Sequence, residues 1–545
     1  MTWSARISQR DYEQLIAHLH PGDDDEHAAF LYAGETATPK DHRLLIRRVI
    51  PVPHHDFGPS DRGGYRQVAA RALARAAIEC ETEGLRLLWA HSHPGAVDHV
   101  RFSGPDLATH NRAHPHMINM TGGRPVASLV FGTGSVAGEV WLPDGKVVEL
   151  DHLDVVGART ARLTASPLAT ADTSARFARQ VLMFGTKGQA TLRSMTVAVV
   201  GAGGGGSLLV QTLAHLGVGR IIIVDFDRVD VTNLSRMVGA TPKDARRRRL
   251  KVDVLRRLAH AIDPEIDVVA IAGDITYEAD ARALLAADYV FSATDTQFAR
   301  FAVNAICHQY LIPGAQVGAK VVTDEDGAVR LAYAMHRPID LGGACLECGG
   351  GIDPDAVRRE QLNDAERQAQ AYVNAPAGGD IVDPSVITLN SAAVAMAMLD
   401  FQFSATGMFP PRTRLAQRIY HAPERALRDR QAATRPGCRW CDRHAVGGAF
   451  ARGDDHPLPL RPGSPPRPNL TGVAERVRRL FAPTECWSTE PGAQRGSQCT
   501  ESIKVALFGG EPRRLRSDWG EVLVGLIRAR RGRRVKPAHR ELRNT

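Results

Sequence analysis

The chain has 545 residues, 43% of them hydrophobic and 23% charged, which is ordinary for a globular protein but too long for one hydrophobic core. Its N-terminus is polar, and charges interrupt its apolar stretches, so the sequence argues against a signal peptide or a membrane span and predicts a cytoplasmic protein. The net charge of +8 is uneven, because residues 451–545 carry 19 Lys and Arg against 10 Asp and Glu.

The first 158 residues alternate strand-like and helical segments. Strands are predicted at 28–33, 44–52, 85–90 and 126–131, and the alanine-rich amphipathic run 65–83 predicts a helix. These elements predict an α/β domain over residues 1–158. Residues 159–174, rich in Ala, Thr and Ser, predict a linker.

The most informative motif of this domain follows the strand at 85–90. It reads His91-Ser-His93-Pro, with Ser103 and Asp106 further on. Two histidines at i and i+2 at a strand end point the same way and can share a metal ion. A carboxylate provides a third ligand and leaves a fourth position for water, which is the open geometry of catalytic zinc.

This pattern resembles the motif of JAMM (JAB/MPN-type) isopeptidases. The resemblance implies a JAMM-type domain in which His91, His93 and Asp106 bind Zn²⁺ and Ser103 helps to stabilise an oxyanion. Nine residues separate His93 from Ser103, more than the family usually has, so the loop is longer.

The resemblance also implies a general base, an upstream glutamate at the head of a strand. Glu26 fits this position best and Glu35 second. His99 is an alternative metal ligand. A metal-free domain of the same fold is the alternative to an active protease.

The middle of the chain, residues 175–445, alternates β-branched runs with helical segments. Strands are predicted at 195–200, 220–225, 266–272 and 289–293, and this order predicts a doubly wound, Rossmann-like parallel sheet covered by helices on both faces. Gly201, Gly203 and Gly206 lie between the first strand and a helix, where glycines let backbone N–H groups approach a phosphate. Asp225, at the end of the second strand, can accept hydrogen bonds from a ribose, so up to this point an NAD site is equally compatible.

The residues that follow separate these two alternatives. Asp225-Phe-Asp227-x-Val-x-x-x-Asn233-Leu-x-Arg236 resembles a signature of the ThiF/MoeB/ubiquitin-activating family of adenylating enzymes. Four further features of the family follow in the expected order. Before the signature lies Arg176-x-x-Arg179-Gln, followed by Gly188-Gln. After it lie a predicted helix from Lys251 to Ile262-Asp-Pro, the loop Thr294-Asp295 with Arg300, and two C-x-x-C pairs.

The resemblance implies an ATP site and a dimer. Adenylation joins a carboxylate to the α-phosphate of ATP and accumulates negative charge on phosphate oxygens, which cations and Mg²⁺ neutralise. By resemblance, Arg236 and Lys251 hold the triphosphate, Asn233 helps to position it, Asp225 holds the ribose and Asp295 coordinates Mg²⁺. Arg179 is implied to reach into the ATP site of a partner subunit. Thr296 stands where the family usually has Asn, a change that we expect to be tolerated.

Four of the eight cysteines form the two C-x-x-C pairs, Cys345/Cys348 and Cys438/Cys441. Four thiolates predict a closed, structural zinc site in a reducing compartment. The ubiquitin-activating branch of the family also needs a nucleophilic cysteine in the crossover segment, but Gly349–Asp383 contains none. We therefore expect adenylation without a covalent thioester, and we interpret Cys307 as a packing residue.

Residues 446–545 are rich in proline and arginine and predict a largely disordered tail with a short helix at 518–530. Its basic cluster at 531–536 lacks interleaved aromatic residues and any known nucleic-acid motif. A solvated tail is therefore favoured over a nucleic-acid-binding segment.

Together the two resemblances imply one substrate, a small ubiquitin-like or sulfur-carrier protein. The first domain would process its C-terminus as a zinc-dependent (iso)peptidase, and the second would adenylate the same carboxylate. The alternatives are adenylation of a peptide or small carboxylate beside an independent protease, and a non-catalytic scaffold that binds the modifier.

Overall fold

The structure is a computed structural model that describes residues 2–38, 41–58, 66–167, 174–324, 326, 328–362 and 384–464. The predicted helix at 518–530 and most of the predicted tail lie outside these residues. The described part belongs to the first of two units into which the chain divides, and this unit ends at Pro465. It contains two sheets of eight strands each.

The first sheet holds the N-terminal domain. Its strands are β1 (Thr2–Ser8), β2 (Ala28–Ala37), β3 (Asp41–Pro51), β4 (Arg86–Ser92), β5 (Val126–Phe131), β6 (Val136–Trp141), β7 (Val147–Val156) and β8 (Ala161–Leu163). Their order is β1-β3-β2-β4-β5-β6-β7-β8, and β1 also pairs with β7, so the sheet closes on itself. The predicted strands all form, within a few residues of their predicted ends.

The second sheet holds the middle domain. Its strands are β9 (Thr196–Val200), β10 (Arg220–Val224), β11 (Asp267–Ile271), β12 (Tyr289–Ser292), β13 (Gly314–Thr323), β14 (Val329–Ile339), β15 (Gln417–His421) and β16 (Ala426–Arg430). The order is β11-β10-β9-β12-β13-β14-β15-β16, in which β9 to β13 pair in parallel. The last three strands are antiparallel, so the prediction of a parallel sheet is correct for five strands only.

The helices cover both sheets. They are α1 (Gln9–Leu19), α2 (Ala70–Glu83), α3 (Gly104–Met120), α4 (Ala178–Ser194), α5 (Gly204–Leu216), α6 (Pro242–Arg246), α7 (Lys251–Ile262), α8 (Glu278–Ala281), α9 (Gln297–Gln309), α10 (Pro354–Gln361) and α11 (Ile387–Ala405). Short 3-10 turns lie at His54–Asp56, Ala175–Phe177, Val231–Asn233 and Arg282–Ala286. In the described part of the chain, no helix combines the length and the apolarity needed to cross a bilayer.

The two sheets pack against each other through buried arginines. Arg6 on β1 is 1% exposed and donates a hydrogen bond to the backbone oxygen of Ala287 at 3.2 Å. Arg43 on β3 donates to the backbone oxygen of Leu285 at 3.1 Å. One hydrophobic cluster also includes Leu45 from the first sheet and Val200 from the second. The two domains therefore share a core.

The ordered chain also continues beyond the domain boundary predicted at residue 445. Phe450 is fully buried, and its backbone oxygen accepts a hydrogen bond from Arg47. Gly453 pairs with Glu35 of β2, and Arg461 pairs with Tyr277. Residues 446–464 are thus part of the folded unit, and the predicted start of a disordered tail at 446 is wrong for them. Their proline content predicts disorder, but contacts with residues far away in the sequence order them.

The predicted linker, 159–174, is likewise partly structured. Its residues Ala161–Leu163 form β8, and the backbone N–H of Thr160 donates to the backbone oxygen of Ser404 at 3.1 Å. Part of this segment therefore extends the first sheet and contacts α11.

Candidate functional sites

The glycine run joins β9 to α5 with very close backbone packing. Gly201 has a φ of +94°, and a Cβ at Gly206 would lie 1.8 Å from the backbone oxygen of Gly201. A side chain fits neither position. The Cβ position of Gly203, directly before α5, has no atom within 4 Å, so space is open beside it. Free N–H groups at such a helix start can bind a phosphate.

Two carboxylates follow β10 at the same edge of the sheet. Asp225 accepts hydrogen bonds from the backbone N–H of Ala202 at 2.6 Å and of Asp227 at 2.7 Å. Burial raises the pKa of Asp225 above its ordinary value. Lys251, the first residue of α7, lies with its Nζ 2.7 Å from Asp227 Oδ2. The predicted lysine and both predicted aspartates therefore converge beside the glycine run.

Arg236 and Asn233 lie in the segment after these aspartates. Asn233 Oδ1 accepts the backbone N–H of Asp230 at 2.9 Å, so part of its side chain shapes the local turn. Arg236 donates to the backbone oxygen of Thr232 at 2.9 Å, and its Cγ is 3.4 Å from the Cβ position of Gly204. Arg236 thus packs over the start of α5, where the sequence predicts the triphosphate.

Asp295 and Arg179 are not in contact with this cluster among the described residues. Asp295 is exposed in the loop before α9, although Ala293 of the same loop has its backbone oxygen 2.6 Å from the Cβ position of Gly201. Thr296 caps α9 by accepting the N–H of Ala299 at 3.4 Å. Arg179 is exposed on α4.

The four cysteines of the C-x-x-C pairs come together as predicted. Their ligand atoms all lie within 4.8 Å of one another, and the Sγ distances Cys345–Cys438 and Cys348–Cys441 are both 3.7 Å. Thiolates bound to tetrahedral zinc at about 2.3 Å lie roughly 3.8 Å apart, so the four could hold zinc. Arg435 supports a charged Cys348, because its Nε lies 3.5 Å from that Sγ.

The second candidate metal group forms at the end of β4. Antiparallel pairing sets Ala28 of β2 opposite His91, so Glu26 lies beside His93, with Oε1 3.9 Å from Nε2. Asp106 comes from the first turn of α3. Its Oδ1 is 3.4 Å from His91 Nε2, and its Oδ2 is 3.2 Å from His93 Nε2.

These three residues fit a zinc ion. Ligands held about 2.0–2.2 Å from a tetrahedral zinc lie roughly 3.4 Å apart, as the two pairs do. His91 Nε2 is buried and has no hydrogen-bond partner among the described residues, so it is free for a metal. Burial lowers the pKa of His91, which favours the neutral imidazole that a metal requires.

Ser103 and Glu26 lie next to the group formed by His91, His93 and Asp106. Ser103 caps α3, and its Oγ donates to Asp106 Oδ2 at 2.6 Å. Opposing the effect of burial, the nearby imidazoles of His91 and His93 hold the pKa of Asp106 far below its ordinary value. Burial raises the pKa of Glu26 to about 7.

The alternatives that the sequence left open lie elsewhere. Glu35 forms an ion pair with Arg86 at 2.9 Å, and the strand register sets this pair well away from His91. His99 is exposed and lies with its Nδ1 3.2 Å from Ser166 Oγ. The geometry therefore favours Glu26 over Glu35, and His99 is not part of the group formed by His91, His93 and Asp106.

Two residues near these sites were missed by the sequence analysis. Asn390 of α11 has its Nδ2 2.6 Å from the Cβ position of Gly204. His110 of α3 lines a cavity together with Glu26, His91 and Asp106. The sequence offers one signal for each residue. Asn390 is a polar residue in the first turn of an apolar helix, and His110 is a histidine four residues after Asp106.

Comparison with known proteins identifies the class. The chain matches the ThiF family over residues 177–506, which is more than half of its length, and it belongs to that family. The match begins at the 3-10 turn before α4 and includes both C-x-x-C pairs. The glycine run, Lys251 and Arg236 thus lie in the ThiF domain.

Individual relatives match shorter stretches. The tRNA threonylcarbamoyladenosine dehydratase of Bacillus subtilis is 39% identical over 122 residues, 22% of this chain and 47% of that protein. The sulfur carrier protein adenylyltransferase of Thermus thermophilus is 33% identical over 177 residues, 32% of this chain and 62% of that protein. The molybdopterin-synthase adenylyltransferase of Salmonella typhimurium is 32% identical over 175 residues, 32% of this chain and 66% of that protein. The chain thus spans about half to two thirds of the length of these relatives.

Among solved structures, Escherichia coli MccB with ATP is 23% identical. The similarity covers 49% of this chain and 75% of that chain, with a TM-score of 0.38.

Proposed function

We propose that the chain uses ATP to adenylate the C-terminal carboxylate of a small ubiquitin-like or sulfur-carrier protein. The observation that carries the proposal is the convergence of Lys251, Asp225 and Arg236 on the open glycine run in a ThiF-family chain. Two similar proteins, from Thermus thermophilus and Bacillus subtilis, are adenylyltransferases of sulfur carriers. Their names favour a protein carboxylate over a small one.

In this proposal the cations of the site neutralise the triphosphate. The N–H groups at the start of α5 and the Arg236 guanidinium would bind phosphate oxygens, and Asp225 would bind the ribose. Lys251 is paired with Asp227 at 2.7 Å, so it would exchange that partner for a phosphate when ATP binds. Bound Mg²⁺ would neutralise further charge on the phosphates. Asp295 is exposed in the adjacent loop and is the residue that would hold it.

We infer that the acyl-adenylate is passed on without a thioester on Cys307 or Cys80, the two described cysteines outside the C-x-x-C pairs. Cys307 is fully buried, and burial raises the pKa of its thiol far above the ordinary value. Cys80 is equally buried, and its pKa is raised for the same reason. A nucleophilic cysteine has to be accessible and to form a thiolate, so neither of the two qualifies.

A second proposed activity belongs to the first domain, which we propose to be a JAMM-type zinc (iso)peptidase. His91, His93 and Asp106 would hold the ion, and zinc would supply Lewis-acid polarisation of the scissile carbonyl. Glu26 would take a proton from an attacking water, and Ser103 would help to stabilise the oxyanion. Its substrate would be the precursor or a conjugate of the same modifier. An independent protease and a non-catalytic scaffold remain the competing proposals.

The ATP–pyrophosphate exchange reaction tests the first proposal. With Mg²⁺ and a small protein that ends in Gly-Gly, we expect exchange that falls at least about 100-fold in Lys251→Ala and in Asp295→Ala, because preorganised charge stabilisation is lost. Lys146→Ala, at an exposed position of the first domain, should exchange normally. Unchanged exchange in both site variants would refute the assignment. Exchange that needs only a small carboxylate would favour the alternative substrate.

Metal analysis tests both metal groups. We expect two zinc ions per wild-type chain, and one in His91→Ala with folding largely intact. Cys438→Ala should also lose one ion but unfold at a lower temperature, because the binding free energy of a structural zinc is part of the folding free energy. His116→Gln, at an exposed position of α3, should keep both ions. One ion in the wild type, unaffected by His91→Ala, would contradict the catalytic zinc.

A further inference from the structure

His110 lies one helical turn after Asp106 and borders the same cavity. The cavity is lined by Glu26, His91, Asp106 and His110, among others. The roles proposed above for Glu26 and the metal ligands do not use His110, although its side chain is 3% exposed and surrounded by aromatic rings. Phe102 meets it edge-on with ring centroids 4.9 Å apart. A buried histidine in such a position has a fixed orientation.

A carboxylate on the far side fixes that orientation further. Glu139 of β6 accepts hydrogen bonds from His110 Nδ1 at 2.6 Å and from Trp141 Nε1 at 2.8 Å. Since Nδ1 donates to Glu139, the chemistry of His110 is left to Nε2, which has no hydrogen-bond partner among the described residues. A carboxylate that holds a histidine in one tautomer is the arrangement by which hydrolases position a proton-transferring imidazole.

The hydrogen bonds of His114 argue against a metal ion bound by His110 and its neighbours. His110, His114 and Glu139 have ligand atoms within 4.8 Å of one another. His114, however, uses both nitrogens, since Nδ1 lies 3.0 Å from the backbone oxygen of His110 and Nε2 lies 2.9 Å from Ser128 Oγ. The group is therefore satisfied as a hydrogen-bond network except for Nε2 of His110, a residue that lines the cavity.

We propose that His110 is a further catalytic residue, the proton donor to the leaving amine in the proposed isopeptidase reaction; the inference rests on that proposed function. A water oxygen bonds to the scissile carbonyl carbon, and Glu26 accepts one proton of that water. The C–N bond then breaks with its electron pair on nitrogen, which receives the Nε2 proton of a doubly protonated His110, while the Nδ1 proton stays hydrogen-bonded to Glu139. Glu26 releases its proton to solvent, and His110 regains one from solvent. Glu139 is a positioning residue that keeps Nε2 at the cavity.

The test compares leaving groups in the full-length protein loaded with zinc. The probes are a peptide ending in Gly-Gly joined to a lysine side-chain amine, and the same peptide as a nitrophenyl ester. An amine leaves only when it is protonated, whereas nitrophenolate leaves without a proton. His110→Gln should therefore lower kcat for the amide about 10²- to 10⁴-fold, the usual range of general acid–base catalysis, with little change for the ester. Glu139→Gln should show the same pattern with a smaller loss.

Controls separate this role from a structural one. Both variants should keep two zinc ions per chain and the wild-type melting temperature, and His116→Gln on the same helix should cleave both probes normally. Equal loss for amide and ester, normal amide cleavage by His110→Gln, or loss of a metal ion in that variant would overturn the inference alone. A zinc-loaded wild type that cleaves neither probe would overturn the proposed peptidase itself, and the inference with it.

Discussion

Asp106 shows how one residue serves local structure and chemistry together. It is the third residue of α3, where its carboxylate accepts the backbone N–H of Ser103 at 2.7 Å and completes a capping box. The same carboxylate faces His91 and His93. The cap therefore holds the Asp106 carboxylate beside both histidines, and the long loop between His93 and Ser103 does not displace it.

Glu26 is the residue whose replacement should separate the two proposed activities. Glu26→Gln should lower cleavage of a C-terminally extended ubiquitin-like precursor about 10²- to 10⁴-fold, because the attacking water loses its base. ATP–pyrophosphate exchange should not change. Both rates can be measured on the same preparation.

Glu35→Gln is the matched control for this prediction. It changes a carboxylate on the same strand that is paired with Arg86. Normal cleavage in Glu26→Gln together with loss in Glu35→Gln would show that the base is assigned to the wrong residue.

The site residues that could be predicted from the sequence are those that lie in contiguous motifs. Lys251 and Asp225 meet at the second sheet, and His91, His93 and Asp106 meet at the first. In each case strand ends and helix starts bring short motifs to one edge of a sheet. Asn390 and His110 could not be found in this way. Asn390 reaches the glycine run from a helix far along the chain, and Glu139, the partner of His110, lies on another strand.

Among the helices that the structure describes, α4 has the most exposed large apolar side chain. Leu182 is 88% exposed and Met183 49% exposed, and Arg179 lies one turn before Leu182. We propose that this face contacts a second copy of the chain, so that Arg179 reaches the partner's ATP site as the family resemblance implies.

Replacing Leu182 tests this helix. Leu182→Asp should convert a dimer into a monomer in sedimentation velocity and lower pyrophosphate exchange, because a charge in an apolar interface costs several kcal/mol. Arg179→Ala should lower exchange while the dimer persists. Val147→Asp, at an exposed position of β7, is the control and should change neither. A monomeric wild type with full exchange would contradict the proposed dimer.

Elements were predicted best where their pattern is local. The β-branched runs of β9 and β10 are buried on both faces, so a parallel sheet followed from composition. The antiparallel strands β14 to β16 were missed, since they are partly exposed and β15 lies beyond a long helical segment. Their pairing depends on contacts that no sequence window contains.

In the described part of the molecule, the two domains behave as one folded unit. Arg6 bridges Asp154 of its own sheet and Asp288 of the other, at 3.8 Å and 3.3 Å. Asp454 accepts hydrogen bonds from Ala37 in the first sheet and from Arg282 in the second domain. The composition of residues 159–174 predicted two domains joined only by a linker. Two such domains would not make these contacts.

Phe450 provides the test of this shared core. It is fully buried in the cluster that also contains Leu45 of the first sheet and Trp440 beside the cysteines. Phe450→Ala should lower the free energy of unfolding by about 3–5 kcal/mol, the usual cost of truncating a buried aromatic ring. Because the cluster includes both domains, calorimetry should show one transition that moves to lower temperature as a whole.

Val446→Ala is the matched control, because Val446 lies four residues earlier and its side chain is fully exposed. It should leave the transition within about 0.5 kcal/mol of the wild type. Two calorimetric transitions in the wild type would show that the domains unfold independently. If Phe450→Ala left the melting temperature unchanged, residues 446–464 would not belong to the folded core, and the boundary predicted at residue 445 would be correct after all.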